Sequence, residues 1–157
     1  MRNRAGDVAA LLLRIAGGLI FLPHGWSKIG GDGAAAFAGD MAAYGIPPFL
    51  GYVAAWAELA GGAMLVVGLL TRIDAFLLAC TMFVATFIVQ LPDALYEVPA
   101  GSIKLFAAVR GIELPLAMFA ICASLVLTGG GRVSLDWLIG ELFAKRKAAA
   151  EAAAVPT

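Results

Sequence analysis

Seven polar side chains stand within or at the ends of strongly apolar runs of this chain: Arg14, His24, Lys28, Glu58, Gln90, Arg110 and Glu113. An ionisable group at membrane depth costs about 2.5–3.5 kcal/mol on insertion scales, so it faces a bundle interior and finds a partner there. Arg14, Gly17, Phe21, His24 and Lys28 recur at steps of three and four, which puts them on one helical face. Glu58 falls about seven residues, roughly 10 Å, inside its apolar run, and Glu113 about one turn, roughly 5 Å, inside its own. Arg110 precedes Glu113 by three, a spacing suited to an ion pair. The spacing predicts that His24, Lys28, Glu58, Gln90, Arg110 and Glu113 converge near one end of a bundle. Arg14 lies deeper, within reach of Asp74 or Glu58. In such a cluster His24, Lys28 and Arg110 can donate hydrogen bonds, and Glu58 and Glu113 can carry protons. Phe21 and Trp56 can wall an apolar slot. Each residue also has a structural use. Arg14 can bond backbone carbonyls, Lys28 can snorkel to headgroups, and the whole cluster can serve only to fix helix register.

The elements that must hold these residues are transmembrane helices. The chain has 157 residues, of which 62% are hydrophobic and 14% charged, whereas soluble domains carry roughly 25% charged residues. Four runs approach the ~20 apolar residues of a span: about 8–26, 51–70, 75–89 and 111–128. Glycines, prolines and polar residues punctuate them, with Pro115 placed in the first turn of the fourth, where proline is tolerated. Arg14 within the first run sets it apart from a cleaved signal peptide. Residues 34–44 form a short surface helix, and a short interfacial helix starts at Ser134 and Asp136 and runs through Leu142. The expected fold is all-α: a polytopic four-helix membrane domain over residues 1–144, followed by a basic and then alanine-rich mobile tail, 145–157.

Lysines and arginines fix the expected orientation. Arg2, Arg4, Arg72, Arg132, Lys145, Arg146 and Lys147 fall on the side of the termini, against Lys28, Lys104 and Arg110 on the other. Both termini are therefore expected in the cytoplasm, with the loops 28–50 and 90–110 outside. The net charge is zero, which leaves no electrostatic footprint for nucleic acid. Cys80 and Cys122 both lie in apolar runs without CxxC or Cys/His spacing, so neither structural zinc nor a disulfide framework is indicated, and buried small hydrophobes are the favoured reading. No metal, flavin or haem motif is seen: the chain has no dinucleotide fingerprint, no iron–sulfur ligand set and a single histidine.

Five ordered segments carry a family resemblance: LLLRIAGGLIFLPHGWSKIGG (11–31), YGIPP (44–48), AELAGGAMLVVGLLTRIDA (57–75), GIELPLAMF (111–119) and GGGRVSLDWL (129–138). Together they resemble the DoxX family of small bacterial membrane proteins over about residues 8–141. The resemblance implies a four-helix inner-membrane protein and redox chemistry, since such relatives include quinone-reducing thiosulfate oxidoreductase subunits. Its motif residues fall on Arg14, His24, Lys28, Glu58 and Glu113. The resulting expectation is a quinone-interacting oxidoreductase or its membrane subunit, with His24, Glu58 and Glu113 catalytic and Arg14, Phe21, Lys28, Trp56, Gln90 and Arg110 holding the substrate. Its partners would be the lipid bilayer, a redox partner subunit that supplies electrons and a second copy of the chain, while Gly17 and Gly18 allow close helix contact either within one chain or between chains. The competing expectation is a non-enzymatic accessory, assembly or small-ligand-binding or transport protein.

Overall fold

The computed structural model describes residues 4–96 and 103–153, and the side chains of all but Ala107 and Ala152. Arg2, residues 97–102 of the expected outer loop and the last four residues of the expected tail lie outside the described residues. The elements are α1 (Arg4–Ile29), α2 (Gly33–Ala43), α3 (Pro48–Val67), α4 (Thr71–Val84), a π-helical turn (Ala85–Gln90), α5 (Leu91–Tyr96), α6 (Lys104–Thr128) and α7 (Leu135–Ala153). Four helical stretches are long and apolar enough to cross a membrane: α1, α3, the continuous stretch Thr71–Tyr96 and α6. The fold is an all-α four-helix membrane bundle in which neighbours run α1, α3, α4, α6 and back to α1. Large apolar side chains such as Leu12, Leu19, Phe76, Phe83 and Leu127 point away from it, as the lipid-facing side of a membrane bundle requires.

Backbone proximity joins α1 to α3. A Cβ on Gly18 would lie 2.6 Å from the Gly62 carbonyl oxygen, and one on Gly62 would lie 2.9 Å from the Leu22 nitrogen. Apolar packing joins α4 to α6 through Leu78, Met82, Met118, Cys122 and Leu125. The α3–α4 turn is tight. Gly68 ends α3 at φ +73°, a left-handed conformation that suits glycine. Leu70 follows at φ +48°, and the Asp136 carboxylate of α7 accepts hydrogen bonds from Leu70 N at 2.6 Å and Thr71 N at 2.8 Å. That carboxylate caps the orphan donors at the start of α4.

Three elements differ most in extent from the expectation. The third span begins at Thr71 and continues past Pro92 to Tyr96. The π turn before Pro92 widens the backbone, with Leu91 N donating to Thr86 O, and relieves the clash that proline makes with the preceding turn. The fourth span starts at Lys104, because the apolar run before Gly111 carries no helix breaker. Pro115 therefore sits inside α6 rather than in its first turn. The helix expected to stop near Leu142 runs to Ala153, since alanine is the strongest helix former and Lys147 lies 3.8 Å from Glu151 one turn on.

Candidate functional site

The α3 face that turns inward carries Gly51, Ala55, Glu58, Gly61, Gly62 and Leu65. Among these, Glu58 is the one charged residue, and it is 2% exposed. It stands ten residues from the start of a 20-residue helix, so its carboxylate belongs to the middle of the span. Lys28, one turn beyond the point where Gly25 packs on the Glu58–Leu59 backbone, reaches back to it. Its Nζ donates to Glu58 Oε1 at 2.5 Å and lies 4.5 Å from the centre of the Phe37 ring. A carboxylate and an aromatic face thus hold the same ammonium. Gly25 is what allows this approach, since a Cβ there would run into the backbone of Leu59.

His24 and Gln90 stand beside this pair. His24 Nδ1 lies 2.8 Å from the Ile20 carbonyl oxygen. A carbonyl only accepts, so Nδ1 bears the proton and, in the neutral ring, Nε2 is left with a lone pair. The π turn carries Gln90 to the same place, and π turns recur at functional sites.

Two cavities meet at this wall. The inner one, about 110 Å³, lies between Phe21, Met82, Pro115 and Met118. The outer one, about 390 Å³, is walled by Phe37, Met41, Val53, Ala54, Thr81 and Val84. His24, Lys28, Glu58, Ala85 and Gln90 border both. The result is an apolar slot with one polar edge, and that edge offers an ammonium, a carboxylate, an imidazole and an amide. Such a slot can seat a small flat molecule, hydrogen-bond its polar atoms and exchange protons with it.

Four expected site residues lie elsewhere. Arg14, expected to reach Asp74 or Glu58 and to bind substrate, is level with the far ends of α3 and α6. Its guanidinium donates to four carbonyl oxygens: Nε to Leu65 at 2.9 Å, Nη2 to Val66 at 2.9 Å, and Nη1 to Gly130 at 2.7 Å and Val133 at 2.5 Å. The first two are last-turn carbonyls of α3, which need donors and attract positive charge. Arg14 is therefore a clamp between the end of α3 and the 130–133 loop. Arg110 and Glu113 are exposed, line neither cavity, and form no ion pair among the described residues. The buried stripe of α6 runs through Ala108, Ile112, Pro115, Met118, Cys122 and Leu125, and Glu113 is one residue, about 100°, off it. Trp56 points outward, 57% exposed, for the same reason beside Ala55.

The DoxX family model matches residues 9–91, which is more than half of the chain. This protein belongs to the DoxX family. The match covers α1 to the π turn, hence Phe21, His24, Lys28, Glu58 and Gln90, and stops short of α6. A curated relative from Bacillus subtilis (strain 168), named "Putative oxidoreductase CatD", is 41% identical over 90 residues, or 57% of this chain. The match covers 65% of that relative's length. No solved structure matches the chain.

Part of this DoxX site escapes a reading of residue types. Phe37 and Met41 enter from α2, whose Ala38 packs on Gly51 and brings the surface helix over the slot. The small residue at each of these two positions was the available signal. The π turn left none, because its residues, ATFIVQ, are an ordinary apolar run. Cys80 borders the outer cavity and is exposed, while Cys122 is buried in the core. No group of three His, Cys, Asp or Glu able to hold a metal ion occurs among the described residues.

Proposed function

We propose that this DoxX protein is a quinone-interacting membrane oxidoreductase, or the membrane subunit of one. The observation that carries the reading is the Lys28–Glu58 pair set into the wall of an apolar slot beside His24 and Gln90. Reduction of a quinone takes two electrons and two protons. The slot, at about 390 Å³, is within the usual size of small-molecule sites, roughly 300–1,000 Å³. Lys28 and the Gln90 amide supply hydrogen bonds to a ring carbonyl. Glu58 and His24 supply and retake protons, and Phe21 closes the inner side. The relative named as an oxidoreductase supports the redox part of this reading. Electrons come from a partner subunit, since the chain carries no cofactor-binding motif of its own.

The proposal places the chain in the bacterial cytoplasmic membrane with both termini inside, on the strength of the arginines and lysines gathered at the end of the bundle that holds the termini. An accessory role in binding a small anion is less well supported, because Glu58 already neutralises Lys28.

The test is to purify the protein from native membrane in mild detergent and identify bound small molecules by mass spectrometry. We expect quinone near one per chain, reduced in folded Glu58→Gln and His24→Ala variants and unchanged in Glu113→Gln. Wild-type protein that holds no quinone and binds none on addition sinks the reading in favour of the accessory role.

A further inference from the structure

One buried acid takes no part in the site described so far. Asp74, in the first turn of α4, is 4% exposed, forms no ion pair among the described residues, and has no hydrogen-bond partner for Oδ2. Its Oδ1 lies against α3, where a Cβ on Gly61 would be 2.6 Å from it. Gly61 is one helical turn from Glu58 on the same buried stripe. One turn back along α4, Thr71 is fully buried and its Oγ1 also has no partner. Thr71 in turn belongs to the wall of an open cavity of about 500 Å³ at the α3–α4 end of the bundle, together with Arg72, Gly130, Ser134 and Asp136. Buried polar atoms are nearly always paired, so two orphans in one turn call for an explanation. Thr71 thus borders the open cavity, and Asp74 borders Gly61, one turn from Glu58.

We propose that Thr71 and Asp74 form a proton relay that supplies Glu58 from the α3–α4 end of the membrane. A buried carboxyl without a cation stands as the neutral acid, and its O–H seeks an acceptor. The step moves one proton and no electron. The O–H bond of Asp74 breaks as one forms on the Glu58 carboxylate, the proton passing along water across the turn of α3 that separates Gly61 from Glu58. The Thr71 hydroxyl then passes a proton from the open cavity to Asp74. Among the described residues, the other buried titratable or charged groups on the neighbouring elements are Glu58 on α3, Cys122 on α6, and Arg14 and Asp7 on α1, the first held by its four carbonyls and the second beside Arg132; Arg72 and the capping Asp136 stand at the mouth. Asp74 acts through Glu58 and is a relay residue, not one that touches substrate.

The relay rests on reading Glu58 as the site's proton carrier, but its test needs no quinone, so the two can fail separately. Infrared spectra of the whole protein in detergent, with a heavy-carbon label on aspartate side-chain carboxyls, read the group directly. We expect a protonated aspartyl carbonyl band at neutral pH that Asp74→Asn removes and Glu58→Gln shifts. Thr71→Val, which keeps the shape and removes the hydroxyl, should slow hydrogen–deuterium exchange at this band severalfold. A wild-type spectrum without the band overturns the proposal, as does a band that survives Asp74→Asn. Should Asp74→Asn fail to fold, the other two variants decide: wild-type band position in Glu58→Gln together with wild-type exchange in Thr71→Val also overturns it.

Discussion

Lys28 and Glu58 are unequally buried, with side-chain exposures of 24% and 3%, and the asymmetry sets what their loss costs. Removing one partner of a buried pair leaves an uncompensated charge, at about 3–5 kcal/mol. Lys28→Met strands the carboxylate at mid-span and should cost about 3 kcal/mol, since partial access of water to the site softens the penalty. Glu58→Gln should cost less, because the freed ammonium retains the Phe37 face and some water. The double variant should regain most of the loss, as both charges are then gone. Thermal unfolding in detergent checks the order; a double variant less stable than Lys28→Met would mean that the pair is not the stabilising unit. Arg14 behaves differently. Hydrogen bonds from a charged donor are worth about 1.5–3 kcal/mol each, and Arg14 makes four from a rigid fork. Lysine cannot span a helix end and a loop at once, so Arg14→Lys should lose about 3 kcal/mol or more. The same unfolding assay tests this, and quinone bound per folded molecule should stay at the wild-type level.

The site depends on how closely α1 approaches α3. Gly25, Gly18 and Gly62 leave no space for a Cβ at the crossing, so Gly25→Ala must push the two backbones apart near Glu58 and lengthen the Lys28–Glu58 contact. We expect a folded but weakened protein whose bound quinone falls severalfold; full occupancy in Gly25→Ala would show that the slot does not depend on the crossing. Sequence revealed that α1 turns Arg14, Gly17 and Phe21 inward, because small and charged residues mark a face even in an apolar helix. It turned Glu113 and Trp56 toward the site, whereas both face outward. Both lie a single residue off a buried stripe, and a helix that is apolar on its lipid side as well as its core side has little polar contrast to fix its rotation. Carbonyl bonding was among the readings of Arg14, but which carbonyls it takes was illegible, because every residue carries one. The extents of the spans failed where proline was read as a stop, since a π turn carries the chain past Pro92.

At the scale of the molecule, the two ends of the bundle differ in build, and this bears on direction across the membrane. One end gathers the α3–α4 turn, the glycine-rich 129–131 segment and the start of α7, tied together by Arg14, by Asp136, and by Asp7 with Arg132 at 3.8 Å. The other end carries α2 folded over the slot. If arginine and lysine counts set the orientation, the tied end faces the cytoplasm. The relay through Thr71 would then draw protons from inside the cell, toward a slot in the outer half of the bilayer. Single cysteines settle this in a Cys80→Ser background, where the remaining Cys122 is buried in the core. Arg132→Cys marks the tied end and Asp40→Cys marks α2, and both parent residues are exposed. A membrane-impermeant maleimide on intact cells should label Asp40→Cys and spare Arg132→Cys, with the pattern reversed in inside-out vesicles. Labelling of Arg132→Cys on intact cells would invert the topology, and the Thr71 relay would then open to the outside.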